Sequence, residues 1–382
     1  MTASRFGSTF DYLVIGAGIF GSYAALRMAD AGLKVMLIDH ERRPWRKASM
    51  VNQARLHFGY HYPRSIATAR LANGYRERFQ KEHEAFINAT FAKYYAIDRS
   101  GSLTSASQFE RFCDFVNIRC RRTSRPELFR GDRLEGLFET TEHSFDPMLL
   151  RDHYQQRLEA SDVVCGFGWV IEAAHADGAT WAVTVTDPAG ERRTLQVASV
   201  LNATYANINA VNEVFGLEDV GIDYEMSEVA ILSSPQLRDI GLTVMDGPFF
   251  SVMPYGRSGF HSLTSVLYTH HGVNRSAHPT FGCQSRVPGC TPRSLATCTS
   301  CVARPRSNIN KMLSQMSQYL APDVEAFVHG SLFTIKAKLK SSQIDDARPT
   351  DIRIISESPK FAYVFSGKIN SIYEVEQLID DA

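Results

Sequence analysis

A glycine-rich turn near the N-terminus constrains this chain more than any other feature. The apolar run at residues 13–15 suits a buried parallel strand, and it passes directly into Gly16, Gly18 and Gly21, after which a helical pattern begins. This order of strand, G-x-G-x-x-G turn and helix is typical of dinucleotide-binding folds. The first glycine permits the tight turn, the second lets the backbone approach a pyrophosphate, and the third lets helix and strand pack closely.

A second strand, at residues 34–38, ends in Asp39, about twenty residues beyond the turn, where an acidic side chain can hold a ribose hydroxyl. The alternative is a glycine-rich turn that binds nothing. Strand, turn, helix, strand and acid in this order favour a nucleotide cofactor.

Length and charge narrow the class of protein. A chain of 382 residues favours two domains that share an interface, where a ligand cleft commonly forms. Lys plus Arg and Asp plus Glu both number 41, so the balance favours neither a nucleic-acid nor an anionic-membrane partner. The N-terminus has no signal-peptide pattern, and no apolar segment is long enough to cross a bilayer. These features predict a soluble, cytoplasmic protein.

The segment at residues 48–65 is dense in polar, aromatic and cationic side chains and has neither helical nor alternating period. Such a segment is costly to bury unless a ligand or an internal network satisfies it. Arg55, His57, His61 and Arg64 lie within it. Each could be a structural contact, but Arg55, His57 and His61 are candidates for a substrate site, whereas Arg64 suits a surface or phosphate contact.

The rest of the chain predicts two architectures. Apolar spacing predicts a long amphipathic helix over residues 66–92, and turn chemistry predicts a hairpin over residues 180–197. The run at 199–204 predicts a strand that returns to the first sheet, whereas the closely spaced runs at 224–268 predict an antiparallel sheet. The fold class is therefore an α/β Rossmann-like domain with a parallel sheet, joined to an α+β, largely antiparallel substrate domain. We expect the nucleotide domain at 1–85, 148–212 and 331–382, and the substrate domain at 86–147 and 213–330, with a Cys-rich insert at about 272–307.

These features together resemble the glycine oxidase and D-amino-acid oxidase superfamily of FAD enzymes. The resemblance rests on the glycine turn with Asp39, on the returning strand at 199–204 and on Gly367 before a terminal helix. The segment His57-Phe58-Gly59-Tyr60-His61-Tyr62, followed by Pro63 and Ser65, is locally similar to L-2-hydroxyglutarate dehydrogenase, although that family usually has Tyr at the position of His61. The resemblance implies FAD as the cofactor, rather than NAD.

The resemblance also implies which residues contact FAD. They lie in the turn, at the end of the second strand, in the following loop and at the C-terminal helix: Gly16, Gly18, Ile19, Phe20, Gly21, Asp39, His40, Ser49, Asn52, Gln53, Ala203, Gly367, Lys368 and Ile369.

Candidate catalytic residues follow from the chemistry that the resemblance implies. Oxidation of an amine or alcohol by a flavin needs a base, a cation for a substrate carboxylate and donors near the flavin where charge gathers. His57 and His61 are candidates for the base, and Arg55 is a candidate for the carboxylate because its guanidinium can donate two hydrogen bonds. Lys368 is either a catalytic-site cation or an exposed lysine at a helix start.

Four cysteines form a separate group. Cys283, Cys290, Cys298 and Cys301 are separated by six, seven and two residues, and the last pair matches half of a zinc knuckle. We predict a structural zinc site within the substrate domain and away from the flavin. Unrelated thiols and an iron–sulfur cluster are the alternatives, although neither common ferredoxin spacing is present.

The sequence thus predicts an FAD-dependent oxidoreductase that removes a hydride from the amine- or hydroxyl-bearing carbon of a small anionic substrate, an amino acid or a 2-hydroxy acid. The alternative is a non-redox FAD- or nucleotide-binding protein whose Cys-rich insert recruits a partner.

Overall fold

The apolar run before the glycine turn forms a central strand of a parallel sheet. A computed structural model describes residues 8–66, 69–70, 74–340 and 350–380. In this first sheet the order is β10-β11-β12-β1-β2-β9, with β20 paired to β12 and β19 paired to β20. Its strands are β1 (Thr9–Ile15), β2 (Val35–Asp39), β9 (Val164–Phe167), β10 (Val170–Asp177), β11 (Thr180–Thr186), β12 (Arg192–Asn202), β19 (Asp351–Glu357) and β20 (Lys360–Phe365).

The predicted hairpin and the predicted returning strand share one element of this sheet. The first half of β12 pairs antiparallel with β11, and its second half pairs parallel with β1 and with β20. Strand β2 pairs parallel with β1 and with β9. The carboxyl ends of β1, β2 and β12 therefore meet at one edge, where a nucleotide binds in open α/β sheets.

The second sheet is mostly antiparallel. Its order is β17-β13-β16-β15-β14-β5-β7-β6, with β18 paired to β13 and one parallel pair between β5 and β14. The strands are β5 (Ala92–Asp98), β6 (Cys120–Thr123), β7 (Leu134–Thr140), β13 (Ile222–Ser233), β14 (Ile240–Met245), β15 (Phe250–Pro254), β16 (His261–Ser265), β17 (His270–Asn274) and β18 (Phe327–Leu339). The predicted fold class is thus confirmed.

A small third sheet joins distant parts of the chain. Strand β8 (His143–Phe145) pairs with β3 (Arg55–Leu56) on one side and with β4 (Ile87–Asn88) on the other. Arg55 pairs with Ser144 and Leu56 pairs with His143. This pairing brings the segment around Glu142 next to the segment that carries Arg55.

The helices pack around these sheets. They are α1 (Ile19–Asp30), α2 (Arg76–Glu82), α3 (Ala106–Phe115), α4 (Pro147–Ala160), α5 (Ile208–Val214), α6 (Ile309–Met316) and α7 (Gln377–Asp380), with 3-10 turns at Glu84–Phe86, Tyr205–Asn207, Gln284–Arg286, Cys298–Ser300 and Ile369–Glu376. Within the described part of the chain, no helix is long and apolar enough to span a membrane.

The helix predicted over residues 66–92 is too long: among the described residues, 66, 69–70, 74 and 76–82 are helical, and the helical part ends at Glu82. The described part of that segment contains the seven-residue helix α2, a 3-10 turn and the short strand β4. The helix ends at His83, whose buried ring contacts the carbonyl oxygen of Phe79 and the hydroxyl of Tyr154. Pairing of Ile87 and Asn88 with β8 then replaces further helical turns.

Candidate active site

The glycine turn borders a large cavity between the two sheets. An ideal Cβ on Gly16, whose φ is +100°, would lie 2.8 Å from the carbonyl oxygen of Ala203, and one on Gly18 would lie 3.0 Å from Ser49 Oγ. The turn therefore lies against the end of β12 with no room for side chains. Ser49 Oγ also accepts a hydrogen bond from the first amide of α1, at Ile19, at 3.0 Å. The N-terminal end of α1 borders the cavity, as a pyrophosphate site requires.

Asp39 is held in place at the end of β2. Its Oδ2 accepts a hydrogen bond from the amide of Ala17 at 2.7 Å, and its Oδ1 accepts one from the amide of Glu41 at 2.8 Å. A carboxylate oxygen has two lone pairs, so each oxygen can still accept a hydrogen bond from a ribose hydroxyl. The side chain lines the cavity.

An apolar wall next to Asp39 suits a flat aromatic ring. The amide of Trp169 donates to the carbonyl oxygen of Asp39 at 3.0 Å, and this contact places Val170 at the cavity. Val170 is 52% exposed, although it is a large apolar residue in a strand. An adenine ring bound beside Asp39 would cover it. These residues, with the glycine turn, fit FAD, and bound FAD would supply a two-electron acceptor.

The structure brings most of the predicted cofactor residues to this cavity of about 830 Å³. Those that line it are Gly16, Gly18, Ile19, Phe20, Asp39, His40, Ser49, Asn52, Gln53, Ala203, Gly367, Lys368 and Ile369. Gly21 lies behind the turn, where its absent side chain leaves room for the Gly16 carbonyl. Asn52 accepts a hydrogen bond from the amide of Ala54 and donates to the carbonyl oxygen of Ser49, so it shapes the loop.

The candidate catalytic residues line the same cavity: Arg55, His57, His61 and Lys368. Lys368 is only 5% exposed, so it is not the exposed lysine of the alternative interpretation. Its Nζ lies 5.1 Å from the centre of the Tyr62 ring. The rings of His57 and His61 are 5.9 Å apart.

A row of polar side chains crosses the second sheet at the cavity wall. Tyr95 on β5 is in register with Thr243 on β14, Thr243 with Ser251 on β15, and Ser251 with Thr264 on β16. Because residues in register lie on the same face, the four hydroxyls form one line. Gln53 donates to Thr264 Oγ1 at 2.8 Å and so ties the cofactor segment to this row.

Arg55 lies against this polar row and is 4% exposed. It donates to Thr243 Oγ1 at 2.8 Å, to Ser251 Oγ and, from Nη1 at 3.3 Å, to Tyr95 Oη. Its Nη1 also lies 3.4 Å from His61 Nδ1. Most of its donors are therefore used within the protein, and a substrate that binds it directly must replace one of these contacts.

Two residues of this site were not predicted. Glu142, which is buried, accepts a hydrogen bond from Tyr95 at 2.8 Å and lies 3.6 Å from Arg55 Nε. Among the described residues, Arg55 Nε and Glu142 Oε1 have no hydrogen-bond partner. Lys93, two residues before Tyr95 on β5 and therefore on the same face of the sheet, donates to Thr243 Oγ1 at 2.6 Å. The only signal in the sequence was a lysine beside the apolar and aromatic run at residues 94–97.

The predicted zinc site is not supported. All seven cysteines are unbridged, and the described residues include no group of three or more His, Cys, Asp or Glu side chains that could hold a metal ion. Burial, with neighbouring thiols adding to it, raises the pKa of Cys298 to about 12. Cys283, Cys290 and Cys301 do not line the cavity.

The Cys-rich insert was predicted to lie away from the flavin, but the structure places part of it at the cavity that the glycine turn borders. Cys298 lines the cavity, together with residues 293–296. Thr297 donates to Glu41 Oε1 at 2.8 Å, and Lys47 donates to the carbonyl oxygen of Leu295. The insert is therefore fastened to the segment that follows Asp39.

This fold and cavity define a flavin-dependent oxidoreductase with a nucleotide sheet and a substrate sheet. The DAO family model, described as FAD dependent oxidoreductase, matches residues 11–265, and the chain belongs to this family. It is therefore an enzyme, and the non-redox alternative is not supported.

Known proteins of this kind resemble the chain over nearly its whole length. The chain is 22% identical over 373 residues to the FAD-dependent monooxygenase FPY4 of Fusarium mangiferae, covering 96% of this chain and 90% of that protein. Glycine oxidase from Geobacillus kaustophilus superposes with a TM-score of 0.71 at 13% identity, covering 98% of this chain and 94% of that one. L-alpha-glycerophosphate oxidase from Mycoplasma pneumoniae, with FAD bound, superposes with a TM-score of 0.70 at 14% identity, covering 98% of this chain and 95% of that one. At these identities the two structures show the fold alone, and the local similarity to L-2-hydroxyglutarate dehydrogenase stays a prediction.

Proposed function

We propose that this enzyme removes a hydride from the amine- or hydroxyl-bearing carbon of a small anionic substrate. The observation that carries the proposal is that one cavity extends from the glycine turn to a buried cationic cluster under Thr243 and Ser251. A substrate in that part of the cavity lies between the cofactor site and the polar row.

The charge of the cluster favours an anion. Arg55 and Lys93 can carry positive charge, and Glu142 is the one carboxylate that lies against them in the described part of the chain. A buried cation is costly unless an opposite charge compensates it. A substrate carboxylate that accepts hydrogen bonds from the hydroxyls of Thr243 and Ser251 supplies this charge next to the Arg55 guanidinium, which contacts both hydroxyls.

His57 is better placed than His61 to act as the base. Its Nδ1 lies 3.9 Å from Glu142 Oε1, and this carboxylate stabilises the ring when it accepts a proton from the substrate. In contrast, His61 Nδ1 faces Nη1 of Arg55, which can only donate. His61 therefore holds the orientation of Arg55 in this proposal.

Lys368 and the adjoining backbone line the cavity beside Tyr62. Gly367, Lys368 and Ile369 line it at the start of the 3-10 helix that follows β20. The partial positive charge of a helix start and the Lys368 ammonium both stabilise negative charge that develops on a reduced cofactor.

Anaerobic screening of amino acids and 2-hydroxy acids tests this function. We expect the purified protein to carry FAD, and we expect one class of these acids to abolish the visible absorbance of its oxidised flavin. Bleaching by a nicotinamide nucleotide, and by none of the acids, would instead favour a monooxygenase.

A pair of arginine variants tests the role of Arg55. Arg55→Met should raise KM or slow the bleaching of the flavin. Arg121→Met should change neither, because Arg121 lies on β6 in an exposed ion pair with Glu139.

A further inference from the structure

Lys93 occupies an unusual position for a lysine. It is 1% exposed, and its position on β5 pairs with Gly241 on β14. An ideal Cβ on Gly241 would lie 3.2 Å from Lys93 Cδ, so the glycine leaves room for the aliphatic part of the lysine. The chain thus provides a fitted space for a group that is rarely buried.

The Lys93 amine reaches the cavity through one hydroxyl. Its Nζ donates to Thr243 Oγ1 at 2.6 Å and lies 4.5 Å from the centre of the Tyr95 ring. Thr243 lines the cavity and also accepts from Arg55. Lys93 is therefore one hydrogen bond away from a ligand bound at Thr243.

The charges around Lys93 disfavour a second buried cation. The charged and titratable groups that face it are Arg55 on β3, Glu142 after β7 and Tyr95 on its own strand. Burial lowers the pKa of Lys93 well below its ordinary value, Arg55 lowers it further, and Glu142 opposes both. Glu142 is the single carboxylate that faces Lys93 and Arg55 in the described part of the chain, so a further negative charge at Thr243 favours the charged form of Lys93.

We propose that Lys93 determines specificity for anionic substrates: a carboxylate that binds at Thr243 and Ser251 draws a proton from solvent onto the Lys93 amine. Anion binding and formation of the ammonium then occur together, with no other bond made or broken. This inference rests on the anionic substrate of the proposed function. Lys93 acts through Thr243, so it is a positioning residue and does not touch the reacting carbon.

Calorimetry of the FAD-loaded enzyme tests the coupling without turnover. Acetate serves as the probe, titrated at pH 8 in two buffers of different ionisation enthalpy, because the difference in heat gives the number of protons taken up. We expect the parent enzyme to take up a proton on binding and to bind acetate less tightly as pH rises. Lys93→Met should take up fewer protons, lose this pH dependence and bind roughly tenfold more weakly.

Controls separate the outcomes. Lys81→Met, on the exposed side of α2, should match the parent. Lys93→Gln keeps a donor toward Thr243 without a charge, so it should repeat the result of Lys93→Met and remains informative if that variant does not fold. Proton uptake from His57 or His61 is common to parent and variants and cancels in the difference. Equal uptake and affinity in parent and Lys93 variants would overturn this inference alone, whereas a parent that binds no acetate would overturn the anionic substrate as well.

Discussion

The Cα of Gly21 lies so close to the carbonyl of Gly16 that an ideal Cβ on Gly21 would be 1.8 Å from the Gly16 oxygen. Two glycines five positions apart thus allow α1 to start directly against the strand that precedes it. Since the neighbour is backbone, no side-chain movement can relieve the clash.

Gly21→Ala should therefore disrupt the turn and abolish FAD retention, with a loss of stability of about 2 kcal/mol or more. Gly18→Ala should cost less stability, because its Cβ would meet only the Ser49 side chain at 3.0 Å. FAD per chain and thermal unfolding measure both effects. Gly74→Ala is the matched control, since no atom of the residues that the structure describes lies within 4 Å of its added Cβ. Full FAD content in Gly21→Ala would contradict the assignment of the turn.

His57→Asn should slow anaerobic reduction of the flavin by roughly 10²-fold or more, because it removes the proposed base. His61→Asn should have a smaller effect, mainly on KM, because it loosens Arg55. Stopped-flow reduction over a range of pH measures both, with FAD content as the check on folding. The reverse order of effects would assign the base to His61.

The insert should affect cofactor binding through its contact with Glu41. Thr297→Val removes the 2.8 Å hydrogen bond to Glu41 Oε1 and should weaken FAD binding by about 1 kcal/mol, roughly fivefold in Kd. Equilibrium titration of apoprotein with FAD gives this value. Thr280→Val, an exposed position in the same insert, should bind FAD like the parent, and an equal loss in the two variants would count against a specific contact.

A network at the C-terminal end should make stability fall in acid. Hydrogen bonds from Arg78 lower the pKa of Glu376 to about 2, and Tyr23 donates to the same carboxylate at 2.6 Å. Because the folded pKa is below the unfolded value, this stabilisation is present above pH about 4.5 and is lost as pH falls toward 2. After screening by solvent it amounts to about 1–2 kcal/mol.

Glu376→Gln should lower the free energy of unfolding at pH 7 by this amount and flatten its decline in acid. Urea unfolding at pH 7 and pH 3 measures the change. Glu77→Gln is the control, since the Glu77 side chain is 87% exposed. An unchanged acid dependence in Glu376→Gln would place the acid-sensitive group elsewhere.

Local patterns in the sequence predicted the parts of the fold that depend on neighbouring residues. The glycine turn and the hairpin of β11 and β12 each have their signal within a few residues. The helix predicted over 66–92 is too long because β4 depends on pairing with β8, more than fifty residues away in sequence. No window of local sequence contains that pairing.

The same limit explains the half of the site that was missed. Glu142 reaches Arg55 through the pairing of β3 with β8, and Lys93 reaches it through the register of β5 with β14. Neither residue lies in a motif, and each is recognisable as unusual only once its burial is known. The zinc prediction relied on spacing alone, which does not show that Cys298 lies at the cofactor cavity.

Flavin reduction by an α-deuterated substrate is the most direct test of the central claim. For the acid that bleaches the enzyme in the anaerobic screen, stopped-flow mixing compares the protiated and α-deuterated forms. We predict that deuterium at the amine- or hydroxyl-bearing carbon slows flavin reduction severalfold in the parent enzyme, since that C–H bond breaks in this step. Equal rates for the two forms when reduction itself limits the rate, or no reduction by any amino or 2-hydroxy acid, would contradict the proposed function.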